Sequence, residues 1–171
     1  MNDNIFLIDS NSFMEPSNNY YSFDLVPKFW DELEKHMQAG SILILDKVYD
    51  EVTNGNDELQ EWMSNLNDVD IISHKNPLIL SNYSKVLMYL QNNKCYRPSA
   101  LTEWSNPNVA DPWLIATAMS YGYKIVSFEK PNNGLNIGNP SKKAKIPNVA
   151  EHFGVEVFSL YQMMRYLNFK L

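Results

Sequence analysis

The stretch Ile5-Phe6-Leu7-Ile8-Asp9 runs four apolar residues together without a break and ends the run on a carboxylate. A strand with one wet face alternates apolar and polar residues. An unbroken run instead reads as a strand covered on both faces, as in the middle of a parallel sheet. Ile42-Leu43-Ile44-Leu45 repeats the pattern and is followed at once by Asp46. Between the two runs, Phe23, Val26, Trp30, Leu33 and Met37 recur at three- and four-residue spacing, which predicts a helix over residues 23–39 stopped by Gly40. Strand, helix and strand in that order begin an α/β fold.

The same alternation continues. Asp46 reads as the cap of a short helix holding Val48, Glu51 and Val52, and Asn54-Gly55-Asn56 ends it. Leu59, Trp62, Met63 and Leu66 mark a further amphipathic helix, while residues 69–72 fit a brief strand or an extended connector equally well. Helical spacing returns over residues 77–91, with Pro77 near the first turn, and a short helical turn is expected around Leu101 to Trp104. In Ala110-Asp111-Pro112-Trp113-Leu114-Ile115-Ala116-Thr117-Ala118 an aspartate just before a proline reads as an N-cap and first helical position. Tyr121-Gly122-Tyr123 stops that helix, and Lys124-Ile125-Val126-Ser127-Phe128 is a third buried strand, running into Glu129. Residues 131–145, rich in glycine, asparagine, proline and lysine, predict a long exposed loop. A helical turn over residues 147–153, a strand over 155–158 and a last helix from Ser159 close the chain. The expectation is one domain over residues 1–171: a three-layer α/β/α unit around a mostly parallel sheet.

Bulk properties agree with that reading. A chain of 171 residues suits one domain with a full core, since domains run to about 100 to 200 residues. It is 44% apolar and 13% aromatic, which argues against disorder. The single cysteine, Cys95, excludes an internal disulfide framework and a cysteine-rich zinc site, and reads as a buried thiol in a reducing compartment. The N-terminus lacks the basic and apolar regions of a signal peptide or membrane span, so the expected location is the cytoplasm. A net charge of −6 opposes a broad electrostatic grip on nucleic acid. It is compatible with carboxylates gathered around a metal ion.

In an open parallel sheet, ligands bind outside the carboxyl ends of the strands, where strand order reverses. Asp9 follows the first strand, Glu51 lies on the helix after the second with Asp50 beside it as a rival, and Glu129 follows the strand after the Asp111 helix. Asp111 faces the same edge if its helix makes the usual right-handed crossover. Gathered carboxylates repel one another unless a cation shares them. An all-oxygen set suits Mg²⁺ or Mn²⁺ and disfavours zinc. The bland readings are a turn aspartate at Asp9, a helix cap at Asp111 and solvated carboxylates at Glu51 and Glu129.

Taken together, Ile8-Asp9-Ser10-Asn11, Glu51 within Val48-Tyr49-Asp50-Glu51-Val52, the Asp111 helix start and Val126-Ser127-Phe128-Glu129 resemble the four-motif pattern of PIN-domain nucleases. The resemblance runs from Ile5 to about Leu160. The chain is also similar to a bacterial PIN-like branch that carries Lys145-Ile146-Pro147-Asn148-Val149 and is related to the toxins of type II toxin–antitoxin pairs. The resemblance implies a ribonuclease whose Asp9, Glu51, Asp111 and Glu129 hold Mg²⁺ or Mn²⁺, with Asn11 and Ser127 at the small polar positions beside them. It selects Glu51 over Asp50. Glu129 departs from the more usual aspartate, and its longer arm would reach through water. It further implies a homodimer and an antitoxin protein as partner; in-line attack by a metal-activated water opposite the departing 3′ oxygen would leave a 5′ phosphate.

Lys142, Lys143 and Lys145 form the tightest basic cluster and are candidate contacts for RNA phosphates, with solvation as the plain alternative. His36, His74 and His152 share no spacing and read as ordinary surface or partly buried residues, and the four tryptophans read mostly as core. Two other functions remain open on the same fold. One is a non-catalytic module that binds RNA or a protein partner. The other is a phosphatase, which is disfavoured because Asp9-Ser10-Asn11 lacks the second aspartate expected two residues on.

Overall fold

In the computed structural model, which describes residues 4–171, the apolar runs become strands of one sheet with every pairing parallel. β1 (Phe6–Ile8) is fully buried and pairs on one side with β2 (Ile42–Leu45) and on the other with β4 (Lys124–Val126). β3 (Ile71–Ile72) adds outside β2, and β5 (Val157–Phe158) outside β4, so the order is β3-β2-β1-β4-β5. Helices cover the sheet in a three-layer α/β/α arrangement: α1 (Asn11–Glu15), α2 (Pro27–Gln38), α3 (Asp46–Thr53), α4 (Glu58–Ser64), α5 (Pro77–Asn92), α6 (Pro98–Trp104), α7 (Asp111–Tyr121), α8 (Ile146–His152) and α9 (Leu160–Tyr166).

The layers follow from burial. Residues 112–118 of α7 are all buried, so this helix is apolar all round and lies in the interior. Its close neighbour is α5, whose Ile79, Val86 and Leu90 recur at helical spacing on the buried side. Gly122 ends α7 at φ +73, the left-handed conformation that a residue without Cβ adopts at no steric cost. Trp30 and Trp104 are among the largest fully buried side chains and Trp113 is buried too, in line with their reading as core. None of the described helices is long and apolar enough to cross a membrane.

Several local expectations are corrected. Asp111 is the first residue of α7 rather than its cap; Ala110 holds the cap position in helical conformation, with no side-chain cap bond. The carboxylate still gains from the positive helix end, which favours anions through the first turn. Asp46 likewise lies inside the first turn of α3, after Leu45. Residues 69–72 resolve as the two-residue strand β3. The helix expected over residues 23–39 begins at Pro27, because proline fits the first turn and residues 22–26 turn back through Leu25 and Val26 N–H bonds to the Ser22 carbonyl. Residues 11–20, where no helix was expected, hold α1 and a π-helical turn, Pro16–Tyr20. Cys95 is half-buried rather than buried.

Candidate functional site

Strand order reverses between β1 and β4: from β1 the chain moves outward through β2 and β3, then returns to the other side of β1. The crevice beyond the carboxyl ends of these two strands is the expected ligand position of a doubly wound sheet. Asp9 leaves β1 there, and its backbone N–H donates to the Val126 carbonyl at 2.9 Å, extending the β1–β4 ladder by one step. Its side chain is 2% exposed. Oδ2 accepts the Ser127 hydroxyl at 3.0 Å and Oδ1 lies 3.4 Å from the Ser10 hydroxyl. Chain exit is fixed from behind, where the Ser12 N–H donates to the Asp9 carbonyl at 2.9 Å and the Ser12 hydroxyl to the Val126 carbonyl at 3.2 Å.

Burial pushes the Asp9 carboxyl up from 3.8 to about 6; the Ser127 hydrogen bond opposes the rise, and the charges of Glu129 and Glu51 add to it. Asp111 is pushed further, to about 8, first by burial and then by the charges of Asp9, Glu129, Glu51 and Glu103. Asp9 and Asp111 therefore both lie within reach of the charges of Glu51 and Glu129, and Asp111 within reach of Asp9. Neither Asp9 nor Asp111 makes an ion pair among the described residues.

The four are not equivalent. Glu51 is exposed on α3 and lines a cleft of about 380 Å³ with Lys47, Asp50, Asn54 and Asn108. Glu129 is engaged elsewhere: Oε2 accepts the Ile146 N–H at 2.7 Å, where α8 begins, and Oε1 lies 3.3 Å from Lys145 Nζ. No three His, Cys, Asp or Glu side chains among the described residues converge as a group that could hold a metal ion. The two aspartates fit Mg²⁺ or Mn²⁺ by donor type, and a cation would offset the burial that now favours their protonated forms. Mg²⁺ commonly takes only one or two carboxylates, with waters and substrate phosphates completing the shell.

Of the other expected site residues, Ser127 is buried and bonded to Asp9, while Asn11 is exposed as the first residue of α1. Lys142 and Lys143 are exposed in the loop and Lys145 is tied to Glu129. The Lys145-Ile146-Pro147-Asn148-Val149 segment closes this long loop onto the strand end. Ile146 and Val149 are buried, and Asn148 bonds both backbone groups of Asn132, at 2.8 and 3.1 Å.

Three features near this edge were absent from the sequence reading. Lys47 stands over the Trp113 ring at 6.0 Å and lines the Glu51 cleft; its position four residues before Glu51, on one helix face, was a usable signal. Asn108 joins it from the loop before α7. His74 Nδ1 lies 2.7 Å from Asp46 Oδ2, which also accepts the His74 N–H at 3.1 Å, tying the ends of β2 and β3 together. The His74 ring meets the Trp113 ring edge-on at 4.8 Å, a contact that no spacing in the sequence announces.

This parallel sheet, with acidic residues at its switch point, places the protein among α/β proteins with a crevice site. The chain belongs to the family described as Domain of unknown function (DUF4411), whose model matches residues 6–171. No curated protein matches it.

Proposed function

We propose that the protein is a Mg²⁺- or Mn²⁺-dependent ribonuclease, with Asp9 and Asp111 as the principal metal ligands. The observation that carries this reading is the pair of desolvated aspartates at the β1–β4 switch point with no cationic partner among the described residues. The order of acidic motifs resembling PIN-domain nucleases supports it. A bound ion would activate water and neutralise charge on the phosphodiester.

The chain's own residues supply the rest. Ser127 fixes the direction of the Asp9 carboxylate and favours its ionised form against the effect of burial. Glu51 contributes at the exposed side, through water, and Lys47 beside it offers a cation to a phosphate. Glu129 braces the start of α8, so its role at the site is indirect. Lys142 and Lys143 are free to meet RNA phosphates further out, whereas Lys145 serves mainly the Glu129 contact. In the reaction, water adds to phosphorus, the P–O3′ bond breaks, and the 3′ oxygen leaves as a hydroxyl, producing a 5′ phosphate. The same resemblance supports a toxin role, a homodimer and an antitoxin partner.

The test is cleavage of single-stranded RNA by the purified protein with Mn²⁺. The reading requires 5′-phosphate products, loss of activity in EDTA, and loss in Asp9→Ala and Asp111→Ala. Activity indifferent to EDTA and to both substitutions refutes it. A non-catalytic binding module is the second reading, favoured by the engagement of Glu129 with Ile146 and Lys145. RNA binding without cleavage at millimolar Mn²⁺ would select it.

A further inference from the structure

Beyond the aspartates, the carboxyl ends of β4 and β5 open into a cavity of about 590 Å³. That is within the roughly 300–1,000 Å³ typical of small-ligand sites. Its lining includes Glu129 and Ser127, the residue that bonds Asp9, so it borders the carboxylate edge of the sheet. Its apolar wall includes the aromatic rings of Phe128, Phe158 and Tyr161, and its charged groups are Glu129, Lys130 and Glu151, of which Glu129 is already tied to Lys145. Tyr161 is 41% exposed, and Tyr20, also exposed, lies parallel to Phe128, with centroids 6.3 Å apart and 6° between planes. Lys130, also in the lining, is exposed and makes no ion pair among the described residues.

Aromatic faces beside a free cation suit a flat heterocycle attached to a phosphate, because every base presents a π-face and single strands are gripped by stacking plus charge. An extended peptide fits less well, since β5 forms only two residues of strand and gives little edge for main-chain pairing. We propose that this cavity is a nucleobase pocket of the RNA site, in which a base stacks against Tyr161 and Phe128 while Lys130 faces the backbone. The inference rests on the ribonuclease reading for its choice of RNA, but its geometry does not involve a metal.

The experiment is a fluorescence titration of the full chain, in EDTA and at low salt, with a short single-stranded RNA carrying 2-aminopurine; free 2-aminopurine riboside monophosphate is the second arm. Stacking quenches the fluorescence. Tyr161→Ala, at an exposed position, is expected to weaken RNA binding roughly 5- to 100-fold and abolish the quench, with Tyr161→Phe close to the wild type. Lys130→Ala should flatten the salt dependence of log affinity by about 0.7. Unquenched RNA, or Tyr161→Ala binding and quenching like the wild type, overturns the pocket. Quenching of the free monophosphate but not of the RNA also overturns it. If RNA is cleaved with Mn²⁺ while Tyr161→Ala changes nothing, the pocket falls and the nuclease stands. If RNA binds through Tyr161 but is not cleaved, the nuclease falls and the pocket stands.

Discussion

Ser127 donates its hydroxyl to Asp9 Oδ2 at 3.0 Å across 118 residues of sequence, and the Ser127 hydroxyl oxygen itself accepts the Glu129 N–H at 3.1 Å. One small side chain thus fixes the direction of the most buried carboxylate at the site and the turn that carries Glu129.

Removing that hydroxyl should weaken the ion's hold without dismantling the fold. Ser127→Ala leaves an Asp9 that protonates more readily, since the hydrogen bond opposes the rise caused by burial. Partners that orient metal ligands typically contribute 10- to 100-fold in affinity. A loss of about that size in Mn²⁺ affinity at neutral pH is expected by calorimetry, together with a modest fall in melting temperature because the Glu129 N–H loses its acceptor. Unaltered Mn²⁺ affinity would remove Ser127 from the site.

The raised aspartates link stability to pH in a stated direction. The unfolded chain releases these protons near 3.8, whereas the folded chain keeps them to about 6 at Asp9 and about 8 at Asp111. The native state therefore binds more protons through that window, and stability falls as pH rises from about 4 to 8. For metal-free protein the combined effect is on the order of a few kcal/mol. Asp111→Asn should be more stable than the wild type at pH 8 and nearly equal to it at pH 4. Denaturant melts of EDTA-treated protein check this, and a wild type that gains stability from pH 4 to 8 relative to Asp111→Asn contradicts it.

Glu129 separates bracing from chemistry. Its Oε2 is the acceptor for the Ile146 N–H at the start of α8, and Ile146 is fully buried. Leaving a buried donor unpaired costs about 1–3 kcal/mol. A chain of this length loses roughly 2–4 °C per kcal/mol. Glu129→Ala should thus melt roughly 3–10 °C lower, while Glu129→Gln, which keeps an acceptor oxygen, should melt close to the wild type and retain most activity. A fully stable but inactive Glu129→Gln would show that the carboxylate is a metal ligand.

The lysines of the loop should divide in the same way. Lys142→Ala and Lys143→Ala are expected to lower RNA affinity and flatten its salt dependence without changing stability, as for solvated cations facing phosphates. Lys145→Ala removes the partner of Glu129 and is expected to have the smaller effect on RNA. Filter binding across a salt series separates the two outcomes.

The buried strands were legible because the runs Ile5–Ile8 and Ile42–Leu45 are apolar on both faces and alternate with helical spacing, as in the middle of a parallel sheet. Gly122 announced the end of α7 for an equally local reason. Long-range contacts were not legible. α1 is anchored by Ser12 to the carbonyls of Asp9 and Val126, and nothing in Asn11-Ser12-Phe13-Met14-Glu15-Pro16 displays that anchor. The strand-end carboxylates could be placed on one edge from their order, but not told apart. Burial of Asp9, exposure of Glu51 and engagement of Glu129 with Ile146 depend on packing between elements distant in sequence. His74 looked ordinary because its partner Asp46 lies 28 residues away.

The central claim is that Asp9 and Asp111 together hold a divalent cation, and titration of the metal-free protein with Mn²⁺ in a calorimeter tests it most directly. The account predicts saturable binding at neutral pH, accompanied by proton release because Asp111 must ionise, and its loss in both Asp9→Asn and Asp111→Asn. Absence of binding at millimolar Mn²⁺, or binding that survives both substitutions, would contradict it.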